Sequence, residues 1–431
     1  MSPKKPEKTN APYPLPFVQP EEVGFSTERL ARIGPAMQKY VDKGMVPHLV
    51  TLVARHGKIV HYEARGYLSL EGREPAGKDT IVRLYSNSKP IAGVATMICV
   101  EEGLLNLDDP LSKFIPAFKN PVVMVSSPNP EAMRPPAGTV PAIPADREIT
   151  VRDCLRNTTG MLSAQKASVQ FMMEHREAVM RAGWMGVGQP ESVRDMVEAQ
   201  AALPLASQPG TEFIYHAGYP ALGLVLEIVT GRTLGEFYEE RIFAPLGMKD
   251  SSFYLPKKKL NRFPSCYRPV RDNTGWKLEL MEKPEFSERV NGPKTFFDAG
   301  GDRGGVLSTV GDYARFARML LNGGELDGVR IIGRKTVELM TRSHTREDLY
   351  PPMTGPGFGF GMGVGVYKGG GPPRLRSIGA FGWDGAAGTF FFDDPKEDLL
   401  VICFTQVFGH RGMPGNNYQE DFERLVYQAL V

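Results

Sequence analysis

Apolar runs bounded by polar turn positions predict β-strands near both ends of the chain. The run HLVTLVA at 48–54 is typical of a buried strand, and the segment 59–64 follows the turn at 56–57 as its returning partner. Near the other end, the segments 388–392 and 399–406 have strand character and flank the turn DDPKED. The pattern therefore predicts strand pairs at opposite ends of the sequence.

Helical periodicity occupies the regions next to these strands and much of the middle of the chain. A helix is expected after Ser26, and a long apolar helix is expected to follow Ser86 and to end at Gly103. Helical patterns dominate 151–250, and 417–431 alternates acidic and apolar residues as an amphipathic helix does.

This order of elements predicts an α/β (α+β) protein with a discontinuous α/β domain and a helical domain. The segments 21–85 and 295–431 are expected to share one antiparallel sheet, while 86–294 forms a mostly helical domain. Residues 1–20 are expected to be a flexible lead-in, and the Pro-rich stretch 115–145 a long loop. A cleft between two such domains is a common ligand site.

Composition and charge narrow the functional classes. Apolar residues make up 42% and charged residues 23% of the 431 positions, which is typical of a globular protein. The 51 basic and 49 acidic side chains give a net charge of +2, and no basic cluster indicates a nucleic-acid partner. No apolar run approaches the ~18 residues of a membrane span, and no secretory signal is recognised. We expect a cytoplasmic protein without nucleic-acid or membrane partners.

Residues that usually bind metals or cofactors are scattered along the chain. The four cysteines form no C-x-x-C pair, and the seven histidines form no H-x-x-x-H or H-x-H motif, so no metal site is expected. The phosphate-binding motif G-x-x-x-x-G-K-[ST] is absent, and no cofactor is expected. The G-x-S-x-G elbow of α/β-hydrolases is also missing.

One serine motif remains, S-x-x-K, which occurs at Ser2, Ser86 and Ser163. Ser2 lies in the predicted lead-in and no sustained apolar helix begins at Ser163, whereas Ser86 lies between a strand-like segment and the long apolar helix. Residues i and i+3 share a face on the first turn of a helix, so Lys89 can reach the Ser86 hydroxyl. Burial beside the helix favours the uncharged amine, which can act as a base. The context predicts a nucleophilic Ser86, with a capping serine as the alternative.

Five segments, in the same order, resemble the serine β-lactamase and penicillin-binding protein superfamily. They are the nucleophile helix at 84–118 (beginning LYSNSKP), the segment ITVRDCLRNTTGM at 149–161, the tyrosine segment at 210–231, the segment at 304–324 and the third-motif strand at 381–395. The resemblance covers roughly residues 20–430. It implies the fold of that superfamily, an antiparallel sheet flanked by helices plus a mostly helical lobe.

The resemblance also implies roles for individual residues. Ser86 would be the nucleophile, and Lys89 and Tyr215 would carry its proton to the leaving group. Whether Lys89 or Tyr215 is the general base is left open, because the two would titrate as a coupled pair. The backbone N–H groups of Ser86 and Ala386 would form the oxyanion hole.

The second motif departs from the lactamase pattern. Class C β-lactamases carry Y-x-N, whose asparagine binds the amide side chain of the substrate, whereas this chain has Tyr215-His216-Ala217. Alanine cannot form that hydrogen bond. His216 is a candidate substrate-binding residue if it lines the pocket, but an orientation away from the pocket is favoured.

The third motif, K-T-G in lactamases and transpeptidases, is Trp383-Asp384-Gly385 here and is similar to the W-x-G triplet of family VIII carboxylesterases. All three residues are expected to bind substrate. Trp383 would pack on the acyl or alcohol group, and Gly385 would allow close approach. Asp384 would repel anions if it faces the site. Loss of the lysine removes a charge-assisted hydrogen bond worth ~1.5–3 kcal/mol, which disfavours anionic β-lactams.

The preferred interpretation is a serine carboxylesterase that hydrolyses short-to-medium acyl esters through an acyl-enzyme on Ser86. A β-lactamase or D-amino-acid peptidase or amidase, an acyltransferase with the same nucleophile, and a non-catalytic binding scaffold are the alternatives. The expected partner is a small-molecule ester, and the oligomeric state is left open. Several aromatic residues flank the motifs, and as a group they favour apolar ester substrates, although each one alone is more typical of the core or of a loop: Phe213, Tyr219, Phe358, Phe360 and Phe381.

Overall fold

The computed structural model describes most of the chain. The described ranges are 13–124, 142–162, 175–182, 190–273, 275–290, 298–301, 304–371 and 374–431. The S-x-x-K sequences at Ser2 and Ser163 lie outside these ranges. So do most of the predicted lead-in, residues 125–141 of the predicted Pro-rich loop and the predicted domain boundary at 295.

One antiparallel sheet joins the two ends of the chain. In chain order, the strands of the described residues are β1 (His48–Arg55), β2 (Lys58–Gly66), β3 (Val82–Arg83), β4 (Val122–Met124), β5 (Ala142–Pro144), β6 (Cys266–Asp272), β7 (Gly275–Glu282), β8 (Leu307–Ser308), β9 (Glu325–Leu326), β10 (Val329–Arg330), β11 (Phe358–Phe360), β12 (Gly365–Tyr367), β13 (Phe381–Asp384), β14 (Phe390–Asp394) and β15 (Leu399–Phe404). The main sheet has seven strands in the order β11-β12-β13-β14-β15-β1-β2. Strands β1 and β15 pair with Val50 opposite Phe404. The predicted antiparallel sheet is confirmed, while the domain boundaries stay a prediction.

Helices pack on both faces of this sheet. The α-helices of the described residues are α1 (Thr27–Leu30), α2 (Ile33–Asp42), α3 (Ser88–Glu101), α4 (Val151–Leu155), α5 (Arg176–Arg181), α6 (Val193–Ala201), α7 (Tyr219–Thr230), α8 (Leu234–Tyr238), α9 (Ala244–Leu246), α10 (Val310–Leu321), α11 (Arg334–Met340) and α12 (Tyr418–Tyr427). Among these helices, none has the length and the apolar character needed to cross a membrane.

The alternation of side chains along the strands creates two hydrophobic cores. In β15, Ile402 belongs to the core that also contains α3, α7 and α10, whereas Val401 belongs to the core formed with α2 and α12. Successive residues of a strand point to opposite faces, so a continuously apolar strand can serve both cores. Helix α3 lies deep in the first core, where every residue from Ser88 to Cys99 is buried. Its N-terminal end carries the S-x-x-K motif.

Several predicted elements are confirmed, and one helix differs. The predicted strands at 48–54 and 59–64 are β1 and β2, and the amphipathic C-terminal helix is α12. The Ser26 hydroxyl accepts a hydrogen bond from the Arg29 N–H at 3.3 Å, as an N-cap does. The helix then ends at Leu30 and a new helix begins at Ile33. Pro35 explains the break, because proline inside a continuous helix would clash with the carbonyl four residues earlier.

The first strand of the C-terminal pair ends later in the sequence than predicted. Its last two residues, Asp393 and Asp394, are buried. Strand β14 continues to Asp394, although the sequence pattern predicted a turn from Asp393 onward. Asp394 accepts hydrogen bonds from the Tyr427 hydroxyl at 2.6 Å and the Ser377 N–H at 2.9 Å. Asp393 is fully buried, and its two carboxyl oxygens have no hydrogen-bond partner among the described residues. Burial raises the pKa of Asp393 well above its usual value, although Arg318 partly opposes that rise.

We predict that Asp393→Asn stabilises the protein more at high pH than at low pH. A carboxyl whose pKa is raised in the folded state retains a proton that the unfolded chain releases, so stability falls as pH rises above about 4. The amide has no proton to lose. We expect a gain of about 1–3 kcal/mol in the free energy of unfolding at about pH 8 and a smaller gain at about pH 5. Urea denaturation at both pH values measures the effect.

Asp394→Asn is the matched control for this prediction. Its Oδ2 accepts hydrogen bonds from Tyr427 and Ser377, and its Oδ1 accepts from the Lys396 and Glu397 N–H groups. An asparagine side chain has only one accepting oxygen, so this variant should lose stability. Equal destabilisation of the Asp393→Asn variant at both pH values would contradict the prediction.

Candidate active site

Ser86 lies in a strained turn at the entrance to helix α3. It belongs to the short 3-10 helix Tyr85–Asn87, which connects β3 to α3. Tyr85 has a φ of 49°, and a positive φ of this kind costs a residue other than glycine about 1–3 kcal/mol. Ser86 stays partly exposed, while Tyr85 and Asn87 are buried. The turn therefore presents the serine hydroxyl at the surface of a rigid core.

Lys89 is buried on the next turn and faces the serine. Its Nζ lies within hydrogen-bond distance of Ser86 Oγ at 3.1 Å and of His216 Nδ1 at 2.9 Å, and it donates to the Gly300 carbonyl at 2.5 Å. The amine also lies over the ring of Tyr215, 4.6 Å from the centroid. The contact predicted from the i, i+3 spacing is present, because one helical turn separates the two residues.

Tyr215 and Trp383 meet on the other side of the lysine. The Trp383 indole N–H donates to the Tyr215 hydroxyl oxygen at 2.7 Å, and the two ring centroids are 5.7 Å apart. A donor aimed at the phenol oxygen stabilises negative charge on that oxygen. The structure thus brings the three predicted motifs together, with an indole N–H directed at the tyrosine.

An aromatic wall continues from these two rings. The wall is defined here as Phe213, Tyr215, Phe360 and Trp383. Phe360 meets Trp383 edge-to-face at 4.8 Å, and Phe213 stacks on Tyr215 at 6.4 Å. Of the other aromatics expected at the site, Phe358 packs against Tyr367 in a separate cluster. Phe213, Phe360 and Trp383 are buried and Tyr215 is partly exposed, so the wall is an apolar layer behind Tyr215.

Two nearby tyrosines are held in their neutral form. Burial raises the pKa of the Tyr219 phenol well above its usual value, and its hydroxyl donates to the Leu155 carbonyl at 3.0 Å. Burial likewise raises the pKa of the Tyr85 phenol. These two phenols are therefore poor candidates for an acid or base, and the proton-transfer role expected of Tyr215 stays a prediction.

The two predicted oxyanion donors belong to neighbouring turns. Ser86 is the second residue of its 3-10 helix, and the N–H groups of a first turn have no acceptor within the helix. Ala386 follows Gly385 in a turn closed by the Gly388 N–H on the Gly385 carbonyl at 2.8 Å. The Ala386 carbonyl accepts from the Gly409 N–H at 2.8 Å, which fixes its orientation.

Gly385 allows these two turns to approach each other. A Cβ on Gly385 would lie 2.2 Å from the Leu84 carbonyl oxygen and 2.2 Å from Thr389 Oγ1. The Thr389 hydroxyl also donates to the Leu84 carbonyl at 2.8 Å. The sequence analysis assigned this glycine to substrate approach. In the structure it lets the end of β13 contact the backbone that precedes Ser86.

Asp384, also expected among the substrate-binding residues, is not brought to this cluster. Trp383 and Asp384 are successive residues of β13 and point to opposite faces of the sheet. The Asp384 carboxylate pairs with Arg411 and lines a cavity beside helix α12, together with Glu420 and Glu423. Burial raises the pKa of Asp384, and Arg411 opposes that rise.

His216 differs from the orientation favoured by the sequence analysis. That orientation, away from the pocket, is wrong, since Nδ1 of the ring lies 2.9 Å from Lys89 Nζ. His216 has a φ of 74°, and its N–H donates to Asn157 Oδ1 at 2.8 Å. The hydrogen bond to Asn157 stabilises this left-handed backbone conformation, in which the imidazole faces Lys89.

The sequence analysis did not find Asp298 and Gly300. Asp298 is buried, accepts the Gly300 N–H at 2.5 Å and lies 3.9 Å from His216 Nε2. The run DAGGDRGG at 298–305 was the available indication, because clustered glycines often mark places where backbone approaches a site closely. No spacing rule links this run to Lys89.

Comparison with known proteins identifies relatives that match most of the chain. Protein Rv1367c of Mycobacterium tuberculosis is 28% identical, over 92% of this chain and 98% of that protein. Esterase EstB of Burkholderia gladioli is 26% identical, over 89% of this chain and 92% of that protein. The solved structure of EstCE1, described as a hydrolase with promiscuous acyltransferase activity, superposes with a TM-score of 0.72 at 25% identity. That superposition covers 93% of this chain and 99% of EstCE1.

The family model for β-lactamase matches residues 35–423, which is most of the chain. The resemblance seen in the five sequence segments and the predicted fold are both confirmed. The chain belongs to the β-lactamase family of serine hydrolases.

Proposed function

We propose that the protein is a carboxylesterase that hydrolyses neutral esters with short-to-medium acyl chains. The observation that carries the proposal is the hydrogen bond from Trp383 Nε1 to the Tyr215 hydroxyl. It puts an uncharged donor beside the proton-transfer groups, at the motif where lactamases and transpeptidases carry a lysine. A neutral, aromatic site favours an apolar acyl group over a substrate carboxylate.

In the first half of the reaction, Ser86 Oγ bonds to the acyl carbon of the ester. Its proton passes to the uncharged amine of Lys89, which lies 3.1 Å from Oγ. The carbonyl electron pair moves to oxygen, and the N–H groups of Ser86 and Ala386 stabilise the resulting oxyanion. The bond to the alcohol then breaks, and the alcohol oxygen receives the proton from Lys89 by way of the Tyr215 hydroxyl.

In the second half, water attacks the acyl-enzyme. The proton of the water passes to the same two groups, and Ser86 Oγ regains a proton as the carboxylic acid leaves. The indole donor on Tyr215 stabilises the phenol oxygen whenever it gains negative charge in either half. The net reaction consumes one ester and one water and yields one acid and one alcohol.

The comparisons support the substrate class. Esterase EstB matches nearly the whole chain, and its name gives it ester chemistry. β-Lactam or D-amino-acid amide hydrolysis is less favoured, because Trp383 and Ala217 provide neither the cation nor the amide of the lactamase motifs. The cytoplasmic location expected from the sequence stays a prediction.

Acyl transfer is a second candidate activity. EstCE1 is described as a hydrolase with promiscuous acyltransferase activity, and it matches 93% of this chain. Transfer and hydrolysis share the acyl-enzyme and differ only in whether an alcohol or water accepts the acyl group. An apolar wall such as the one beside Tyr215 would bind an alcohol acceptor as readily as it binds an acyl chain.

We predict that Ser86→Ala abolishes turnover of p-nitrophenyl butyrate. Without the hydroxyl no acyl-enzyme can form, so kcat should fall by about 10³-fold or more. Ser163→Ala is the control, since it alters another S-x-x-K sequence and should keep full activity. Steady-state kinetics of both variants measure the effect. Loss of activity in the Ser163 variant, with activity kept in the Ser86 variant, would contradict the assignment.

We also predict that Trp383→Phe lowers kcat for this ester by about 10–100-fold, because it removes a hydrogen bond to Tyr215. The aromatic surface remains, so KM should change by less than about threefold. Trp276→Phe is the matched control, because Trp276 is 41% exposed on strand β7. A raised KM with unchanged kcat would show that Trp383 only binds the substrate.

A further inference from the structure

The buried amine of Lys89 needs acceptors that aim it at the serine. An uncharged amine has two N–H bonds and one lone pair. The Gly300 carbonyl, 2.5 Å away, can only accept a hydrogen bond, so it takes one N–H. His216 Nδ1, 2.9 Å away, can take the second N–H if that nitrogen carries no proton. The lone pair can then point toward Ser86 Oγ at 3.1 Å.

We propose that His216 and Asp298 are positioning residues that hold Lys89 in the orientation of a general base. The proposal rests on Ser86 and Lys89 acting as in the proposed function. It assigns His216 a role on the lysine, in place of the substrate contact expected from the sequence. Ala217, buried at the next position, has no polar side chain to perform this task.

Two neighbours confine the imidazole. A Cβ on Gly300 would lie 2.4 Å from His216 Cε1 and 2.8 Å from Nδ1, so the ring lies directly on the glycine backbone. The ring also stacks with Tyr219, with centroids 6.3 Å apart and planes 21° apart. A ring confined in this way keeps Nδ1 directed at Lys89.

Asp298 favours one tautomer of the His216 ring. Its Oδ1 lies 3.9 Å from His216 Nε2, so a proton on Nε2 is favoured electrostatically and Nδ1 is left as the acceptor. The same oxygen accepts the Gly300 N–H at 2.5 Å. One buried carboxylate therefore orients both acceptors of the lysine, His216 Nδ1 and the Gly300 carbonyl.

Three substitutions separate this role from a purely structural one. His216→Gly removes the ring at a position where glycine tolerates the φ of 74° without strain. His216→Asn keeps an acceptor close to the place of Nδ1 and also tolerates a positive φ. Asp298→Asn keeps an acceptor for the Gly300 N–H but removes the negative charge beside Nε2.

The first readout is the rate at which a fluorophosphonate labels Ser86, followed by intact mass. This rate reports activation of the serine without any ester substrate. We expect labelling to slow by about 100-fold in His216→Gly, which is in the range found when one preorganised hydrogen bond is lost. In His216→Asn, which keeps an acceptor, we expect labelling to slow by less than about tenfold. Asp298→Asn should fall between them. Free imidazole should restore labelling of His216→Gly by occupying the vacated space.

The second readout is the steady-state kinetics of p-nitrophenyl butyrate. We expect kcat to follow the labelling rates while KM stays nearly constant, because the ring touches the lysine and not the ester. Since imidazole itself cleaves this ester, the Ser86→Ala/His216→Gly double variant measures that background. A general loss of folding would change KM and the melting temperature and would not be reversed by imidazole.

The outcomes distinguish this proposal from the proposed function. Equal labelling of the wild type and His216→Gly would overturn the positioning role, and so would slow labelling of both His216 variants without rescue. Fast wild-type labelling without ester turnover would overturn the esterase assignment, and the ordered labelling rates would still support His216. A wild type that is not labelled at Ser86 would overturn both.

Discussion

The site is organised around a lysine nitrogen that has been taken out of water. An amine in the interior is costly unless polar groups surround it, and uncompensated burial costs several kcal/mol. Lys89 contacts Ser86 on the preceding turn and two distant parts of the chain, at His216 and Gly300. Each partner requires its own segment to be placed accurately. Burial of this one nitrogen therefore constrains how helix α3, the tyrosine segment and the 298–301 segment pack together.

Backbone strain is concentrated where these segments meet. Tyr85 and His216 both have positive φ, and they lie next to the predicted nucleophile and the predicted tyrosine. Such conformations persist only where surrounding contacts determine them. At His216 the contact is the hydrogen bond to Asn157, and at the Ser86 turn it is the close packing of Gly385 on Leu84. Strain at these points orients two side chains that local preference would direct elsewhere.

Two departures from the lactamase motifs occur in the same small volume. Trp383 replaces a lysine and gives its indole N–H to Tyr215, while His216 provides a nitrogen to Lys89. Both are aromatic groups in contact with the proton-transfer residues, and the change to Trp383 removes the cationic charge of the lactamase lysine. The aromatic wall beside them has the same character. A preference for neutral, apolar substrates is consistent with these changes taken together.

Much of the fold and part of the site could be predicted from the sequence, because both depend on local periodicity. Apolar runs next to turn signals predicted β1, β2 and β15, and the i, i+3 spacing placed Lys89 against Ser86. Strand alternation also separates Trp383 from Asp384, although which of the two faced the site was not predicted. That choice depends on which face of β13 packs against the helices, a property of the whole sheet.

The remaining features were decided only by tertiary structure. The inward turn of His216 depends on Asn157, and the contact with Asp298 depends on a segment 82 positions further along the chain. The burial of Asp393 depends on the extra residues by which β14 continues beside β15. The sequence by itself determined which residue types were available and how neighbours along the chain share a face. Packing between distant segments determined which nitrogen meets Lys89, because contacts of that kind leave no periodic pattern in the sequence.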